Sequence, residues 1–255
     1  MGQHYLVGPS VVSSMIDLAA IRPGERVLEI GTGRGALTRV LVGLTARLEG
    51  YEIDKECYEG LRRELGDALV LHNEDAFKAS PEFDVLLSSL PYSESSAFVE
   101  WLSGRRYDRA VVLLQQDFAR KITAPPGSPA YRAVSVISQA SARVEIVSDV
   151  SRRSFDPPPR VNSCIVTMSW RRSLSPEETA MIKKIFSQKR RTVRAALKSL
   201  GLVAPPSAPA PDENMPLQCR VNTLRPESVL AMIGALTRTE KAREADARKG
   251  SVAVP

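Results

Sequence analysis

Val27-Leu28-Glu29-Ile30-Gly31-Thr32-Gly33-Arg34-Gly35 is a short apolar run closed by three alternating glycines. Glycines let the backbone turn sharply and approach a ligand closely. A helical pattern starts at Ala36, so the glycines join a strand to a helix. The spacing is G-x-G-x-G rather than the dinucleotide pattern G-x-G-x-x-G. Alone, it fits a tight structural turn as well as a ligand loop. A second apolar run ends at Tyr51-Glu52-Ile53-Asp54, with Glu52 17 residues beyond Gly35. An acid there can hydrogen-bond both ribose hydroxyls of a nucleoside. Together the two features point to a nucleoside cofactor, with NAD and S-adenosylmethionine both open on these residues.

Outward from this stretch the pattern repeats. Arg26–Ile30, Ala46–Tyr51, Ala68–His72, Asp84–Ser88 and Ala110–Leu114 are short apolar runs. Amphipathic stretches such as Ala36–Leu44 and Lys55–Leu65 lie between them. Strands alternating with helices predict an α/β fold, a parallel sheet with helices on both faces. Arg143–Val150 and Ser163–Trp170 have only an irregular link between them, which predicts an antiparallel addition at the sheet edge. Residues 1–170 form the sheet domain on this reading.

The character changes after Arg171. Ser175-Pro176-Glu177-Glu178 reads as a helix start with Pro176 at its first position. Apolar residues then recur at helical spacing from Ile182 to Leu200, and one basic helix is expected over Ile182–Lys198. It carries Lys183, Lys184, Lys189, Arg190, Arg191, Arg194 and Lys198 and no acid. Val203–Pro216 is rich in Pro and Ala and reads as an extended linker. Ser228–Leu236, preceded by Pro226-Glu227, reads as another helix. A small helical domain over 171–236 and a disordered charged tail over 237–255 follow from this pattern.

The chain has 255 residues, 43 % apolar and 25 % charged, as expected of a soluble globular protein with a sizeable core. No apolar run approaches the roughly 20 residues that span a bilayer. The N-terminus has no basic segment followed by an apolar one. A cytoplasmic monomer with no membrane partner is expected. Cys57, Cys164 and Cys219 are odd in number and far apart. They read as buried free thiols, and no metal site is expected. The net charge of +6 permits a polyanionic partner.

The strand ending at Ser88 is followed by Ser89-Leu90-Pro91-Tyr92. Parallel sheets bind ligands beyond the carboxyl ends of their strands. A small polar residue, two apolar ones and an aromatic suit methylation of an exocyclic amino group. The N6 lone pair of adenine is delocalised into the ring and is a poor nucleophile. A side-chain oxygen and a backbone carbonyl can accept the amino hydrogens and hold the lone pair toward a methyl donor. Pro91 stiffens the corner, and Tyr92 offers a face for stacking. An ordinary Pro-Tyr turn is the rival reading of the tetrapeptide.

The segments resemble, in order, the ribosomal RNA adenine dimethyltransferase family of the KsgA type. They are Gln3-His4-Tyr5-Leu6, the block Glu29–Thr38, Tyr51-Glu52-Ile53-Asp54, Asp75-Ala76, Leu90-Pro91-Tyr92, residues 115–120, Pro126-Gly127-Ser128 with Tyr131, and the block Phe155–Ser163. Phe186, Arg190-Arg191 and Leu197 extend the likeness toward the C-terminus. The resemblance implies a Rossmann-like methyltransferase sheet, S-adenosyl-L-methionine as cofactor, and ribosomal RNA of the small subunit as partner. It implies that His4 and Leu6 close over the methionine end of the cofactor. Gly31 and Gly33 would lie beside it, Glu52 would hold its ribose and Asp75 its adenine. Ser89 would face the target amino group, and Phe155 would stack on the flipped base opposite Tyr92. Lys189, Arg190, Arg191 and Arg194 would contact RNA phosphates. One departure bears on rate and on the number of methyls: the family usually has Asn where Ser89 stands. Two other readings remain open: an RNA-binding assembly or transcription factor that lost catalysis, and an adenine methyltransferase of large-subunit RNA.

Overall fold

The computed structural model describes residues 4–202 and 217–250, with 240–250 as backbone alone. Strand β1 (Tyr5–Leu6) and helix α1 (Pro9–Ala19) lead into β2 (Val27–Ile30). Next come α2 (Thr38–Leu41), β3 (Leu48–Tyr51), α3 (Lys55–Leu65), β4 (Val70–His72) and β5 (Val85–Ser88). Then α4 (Ser95–Ser103), β6 (Arg109–Gln115), α5 (Gln116–Ile122) and α6 (Ala133–Ser141) follow. Strands β7 (Ala142–Val150), β8 (Phe155–Asp156) and β9 (Ser163–Trp170) complete the sheets. Helices α7 (Pro176–Phe186), α8 (Val193–Ser199) and α9 (Pro226–Gly250) end the described chain.

Seven strands form one sheet in the order β4-β3-β2-β5-β6-β9-β7. The first five are parallel, and β9 and β7 extend the edge antiparallel. This is the α/β sheet with the antiparallel addition expected from the sequence. Side chains alternate between faces. Val85 and Leu87 join one apolar cluster with α1 and α3, while Leu86 joins another with α4, α6 and the C-terminal helices. The strand order reverses between β2 and β5, which makes the crevice between their carboxyl ends the natural ligand site. The buried Ser88 hydroxyl donates to the Ile30 carbonyl at 2.9 Å and ties those two ends together.

A second, two-stranded sheet pairs β1 with β8, Leu6 opposite Phe155. Sequence pattern does not announce it, because two residues carry no periodicity.

The structure departs from expectation in three places. The single basic helix over Ile182–Lys198 is two helices, α7 and α8, separated by residues 187–192. The Thr192 hydroxyl caps α8, and the first amides of α8 donate to Cys219 and Leu217 carbonyls at 2.9 Å. A distant segment thus takes hydrogen bonds that a continuous helix would have made internally. Second, α9 runs to Gly250, although disorder was expected from residue 237. Its last turns are rich in Ala, Glu, Lys and Arg, which favour helix without needing a core. Residues 251–255 and the expected linker Val203–Pro216 lie outside the described residues. Third, of the three free cysteines only Cys164 is buried, while Cys57 and Cys219 are half-buried.

The boundary expected at 170/171 falls within one continuous apolar cluster that reaches from Leu28 to Leu236. The helix start at Pro176 is as expected, and a capping box secures it. Ser175 Oγ accepts from the Glu178 amide at 3.1 Å, and the Glu178 carboxylate accepts from the Ser175 amide at 2.9 Å. Replacing Ser175 with Ala should lower unfolding free energy by about 1 kcal/mol, and Ser175→Asp should cost little. Urea denaturation of the two variants checks this.

Candidate active site

The three glycines of the first turn all have positive φ: +76° at Gly31, +52° at Gly33 and +81° at Gly35. Residues with a Cβ rarely adopt these angles. Close approach adds to the requirement at Gly31. A Cβ there would lie 3.3 Å from Leu90 Cδ2 and 3.7 Å from the Ser89 carbonyl oxygen. The glycine turn after β2 and the corner after β5 therefore touch.

Around this contact lies a cavity of about 540 Å³. His4, Gly31, Gly33, Glu52 and Asp75 line it, as do Ser89, Leu90, Pro91, Tyr92 and Phe155. These residues span 151 positions of sequence, from His4 to Phe155, and come from six separate segments. Leu6 is the exception among the residues expected here. It is buried in the apolar cluster with Phe155 and borders only a small adjoining recess.

Glu52 is the best-held acid. Its carboxylate accepts from the Gly33 amide at 2.6 Å and from the Asp54 amide at 2.8 Å. Burial raises its pKa, and these amides pull the other way. Asp75 accepts from the Phe77 amide at 2.9 Å, so it is also a local cap. His4 Nδ1 is 2.7 Å from the Pro157 carbonyl, and its ring sits at a tilt to Tyr92 with centroids 6.1 Å apart. Tyr92 Oη and Ser163 Oγ are 2.5 Å apart. Phe155 is 4 % exposed, a cavity wall that is also a core residue.

Lys189, Arg190, Arg191 and Arg194 lie away from the cavity lining. Arg190, Arg191 and Arg194 are exposed and make no side-chain ion pair among the described residues. Lys189 turns inward, and its ammonium donates to the Tyr131 carbonyl at 3.3 Å.

A family model described as ribosomal RNA adenine dimethylase matches residues 1–238. The chain belongs to that family. The ribosomal RNA small subunit methyltransferase A of Thermosynechococcus vestitus is 35 % identical, over 78 % of this chain and 81 % of its own. A solved dimethyladenosine transferase from Plasmodium falciparum superposes with a TM-score of 0.77 at 26 % identity, covering 92 % of this chain and 98 % of its own. The 23S rRNA methyltransferase ErmE follows at TM-score 0.66 and 25 % identity, covering 91 % of this chain and 99 % of its own.

Several residues of this dimethylase cavity had no role in the sequence reading. Tyr5, Ile53, Phe77 and Leu113 line it. Ile53 is 71 % exposed, an apolar side chain left open beside Glu52. Such exposure cannot be read from a strand end. Glu29 is the more telling case. It is an acid inside a strand buried on both faces, 1 % exposed, directly beneath the glycine turn. That pattern, an acid in Val27-Leu28-Glu29-Ile30, was the available signal.

Burial pushes the Glu29 carboxyl up to about 8, the Thr38 hydroxyl pulls it down, and the Glu52 carboxylate pushes it further up. The folded protein therefore binds a proton at neutral pH that the unfolded chain has released. Stability is fully present below the ordinary glutamate range and falls as pH rises toward about 8. Glu29→Gln should flatten that fall, which for a shift of this size is on the order of several kcal/mol. Denaturation midpoints at acid, neutral and mildly alkaline pH read the difference.

Proposed function

We propose that this chain transfers methyl groups from S-adenosylmethionine to N6 of two adjacent adenosines near the 3′ end of small-subunit ribosomal RNA. It acts as a cytoplasmic monomer, adds two methyls to each base, and uses direct in-line transfer. One observation carries this reading: the glycine turn, Glu52, Asp75, the Ser89–Tyr92 corner and Phe155 share a single cavity. The small-subunit methyltransferase named above supports the choice of RNA. The cavity's volume lies in the range of roughly 300–1,000 Å³ usual for small-molecule sites.

The residues fit the cofactor. Gly31 leaves free the space that a Cβ would take beside Leu90, and the Glu52 carboxylate is fixed by two amides. When bound, the cofactor supplies an electrophilic methyl on sulfur. Glu52 accepts hydrogen bonds from the ribose hydroxyls, and Asp75 accepts one from the adenine amino group. His4 covers the methionine end, with Leu6 anchoring the strand beneath it. The Ser89 hydroxyl and a carbonyl of the corner accept the hydrogens of the target amino group. They turn its lone pair toward the methyl. Tyr92 and Phe155 flank the extruded base and exclude water. A serine reaches less far than an asparagine, so Ser89 governs how readily the second methyl is added.

Incubating the protein with tritiated cofactor and undermethylated small subunits tests the reading. Incorporation is expected, with dimethyladenosine found by mass spectrometry of the RNA. Ser89→Ala should slow transfer by about tenfold, the value of one lost hydrogen bond in the transition state. Equal rate and product would remove Ser89 from its role. Binding without incorporation would favour an RNA-binding factor instead.

The helical unit over 171–236 is proposed as the RNA-binding part. Arg190, Arg191 and Arg194 face solvent at the break between α7 and α8 and at the start of α8. Replacing all three with Ala should reduce the salt slope of RNA affinity by roughly 2–3, since each phosphate contact contributes roughly 0.7–0.9. An unchanged slope would take these arginines out of the footprint.

A further inference from the structure

The walls of the cavity are not equally supported. Gly31 and Glu52 are held by strand ends and backbone amides. Tyr92 stands at the start of a short 3-10 turn, Tyr92–Glu94, on a half-exposed loop. Its ring would be free to swing without another support. That support comes from 71 residues away: the Tyr92 hydroxyl lies 2.5 Å from Ser163 Oγ.

Ser163 is well placed to serve as an anchor. It is fully buried, with 0 % exposure. It begins β9 and is paired on both sides, with Gln115 of β6 and Val150 of β7. Its backbone therefore cannot shift without breaking two ladders. His4 also lies near the Tyr92 ring, and its Nδ1 is committed to the Pro157 carbonyl. Burial raises the Tyr92 phenol above its ordinary value and the Ser163 hydrogen bond pulls the other way, so the pair is a hydrogen bond between two hydroxyls.

We infer that Ser163 is a positioning residue for methyl transfer: it pins the Tyr92 hydroxyl and so fixes the face against which the target adenine stacks. The inference rests on the reading of the corner given above. A ring held in one orientation keeps the amino group within reach of Ser89, whereas a swinging ring lets the base tilt away. Small misplacements at the reacting atom cost rate rather than cofactor affinity.

The test uses the full chain carrying Ser163→Ala, Tyr92→Phe, or both. Each single change removes the hydrogen bond and leaves the ring. The expected result is a fall in kcat of about tenfold for either single variant. Cofactor Kd by titration calorimetry should stay within about twofold, and the double variant should be no slower than the singles. Ser163→Thr should restore part of the rate. Ring-labelled tyrosine NMR should show the Tyr92 ring more mobile in Ser163→Ala than in wild type. Losses that multiply in the double variant, or an unchanged ring, would overturn the inference. A wild type that moves no methyl would instead overturn the reading of the site, and the ring measurement would still decide on Ser163.

Discussion

The site depends on how closely the loops leaving β2 and β5 approach. Neighbouring strands run about 4.8 Å apart, so loops leaving the same end must diverge or touch. Here they touch, with Gly31 against Leu90 and the Ser89 carbonyl. The Ser88 hydroxyl locks the strand ends just below the contact. Any side chain at Gly31 would meet backbone strain and a tight contact with Leu90. The glycine turn and the Ser89–Tyr92 corner are thus one mechanical unit. A displacement on either side is therefore transmitted to the other.

The β1–β8 pair closes the same cavity from another direction. Its ladder has only two residue pairs, and net stabilisation from so few hydrogen bonds is about 1 kcal/mol each. Burial of Leu6 and Phe155 contributes more, roughly 1.5–3 kcal/mol for each side chain. Packing therefore holds the pair. Leu6, expected over the cofactor, is packed in the apolar cluster with Phe155 and borders the small recess beside the glycine turn. It secures the strand so that its neighbours His4 and Tyr5 can face the cavity. The Arg34–Asp156 ion pair at 3.1 Å bridges the glycine turn to β8, but both side chains are more than half exposed. Its value is correspondingly small.

Besides the shared apolar cluster, the loop around Tyr131 ties the C-terminal helices to the sheet domain. The Tyr131 hydroxyl donates to the Leu224 carbonyl at 3.0 Å, the Gly127 amide to the Asn222 carbonyl at 2.7 Å, and Lys189 to the Tyr131 carbonyl. Phe186 meets the Tyr131 ring edge-on. The exposed arginines of the α7–α8 break are therefore fixed relative to the sheet, not carried on an independent lobe. The composition change at residue 171 does not mark a break in packing.

What the sequence disclosed follows from how local each signal is. The strands from Val27 to Gln115, the glycine turn, the Ser175 cap and the antiparallel edge each declare themselves within about ten residues. They were legible because periodicity and cap chemistry act at that range. The β1–β8 pair and the break at 187–192 depend on partners some 150 and 30 residues away, beyond any local pattern. The same reasoning separates the site residues. Gly31, Glu52 and the Ser89–Tyr92 corner lie at strand ends whose chemistry is explicit. Glu29 was hidden because an acid in an apolar strand is informative only once both faces are seen to be covered. Ser163 closes the Phe155–Ser163 block, but its tie to Tyr92 was hidden for the opposite reason. It is an ordinary strand residue, and what distinguishes it is a hydroxyl that another loop brings to it. A partner 71 residues away leaves no local pattern, so such a tie is found only once the fold brings the two hydroxyls together.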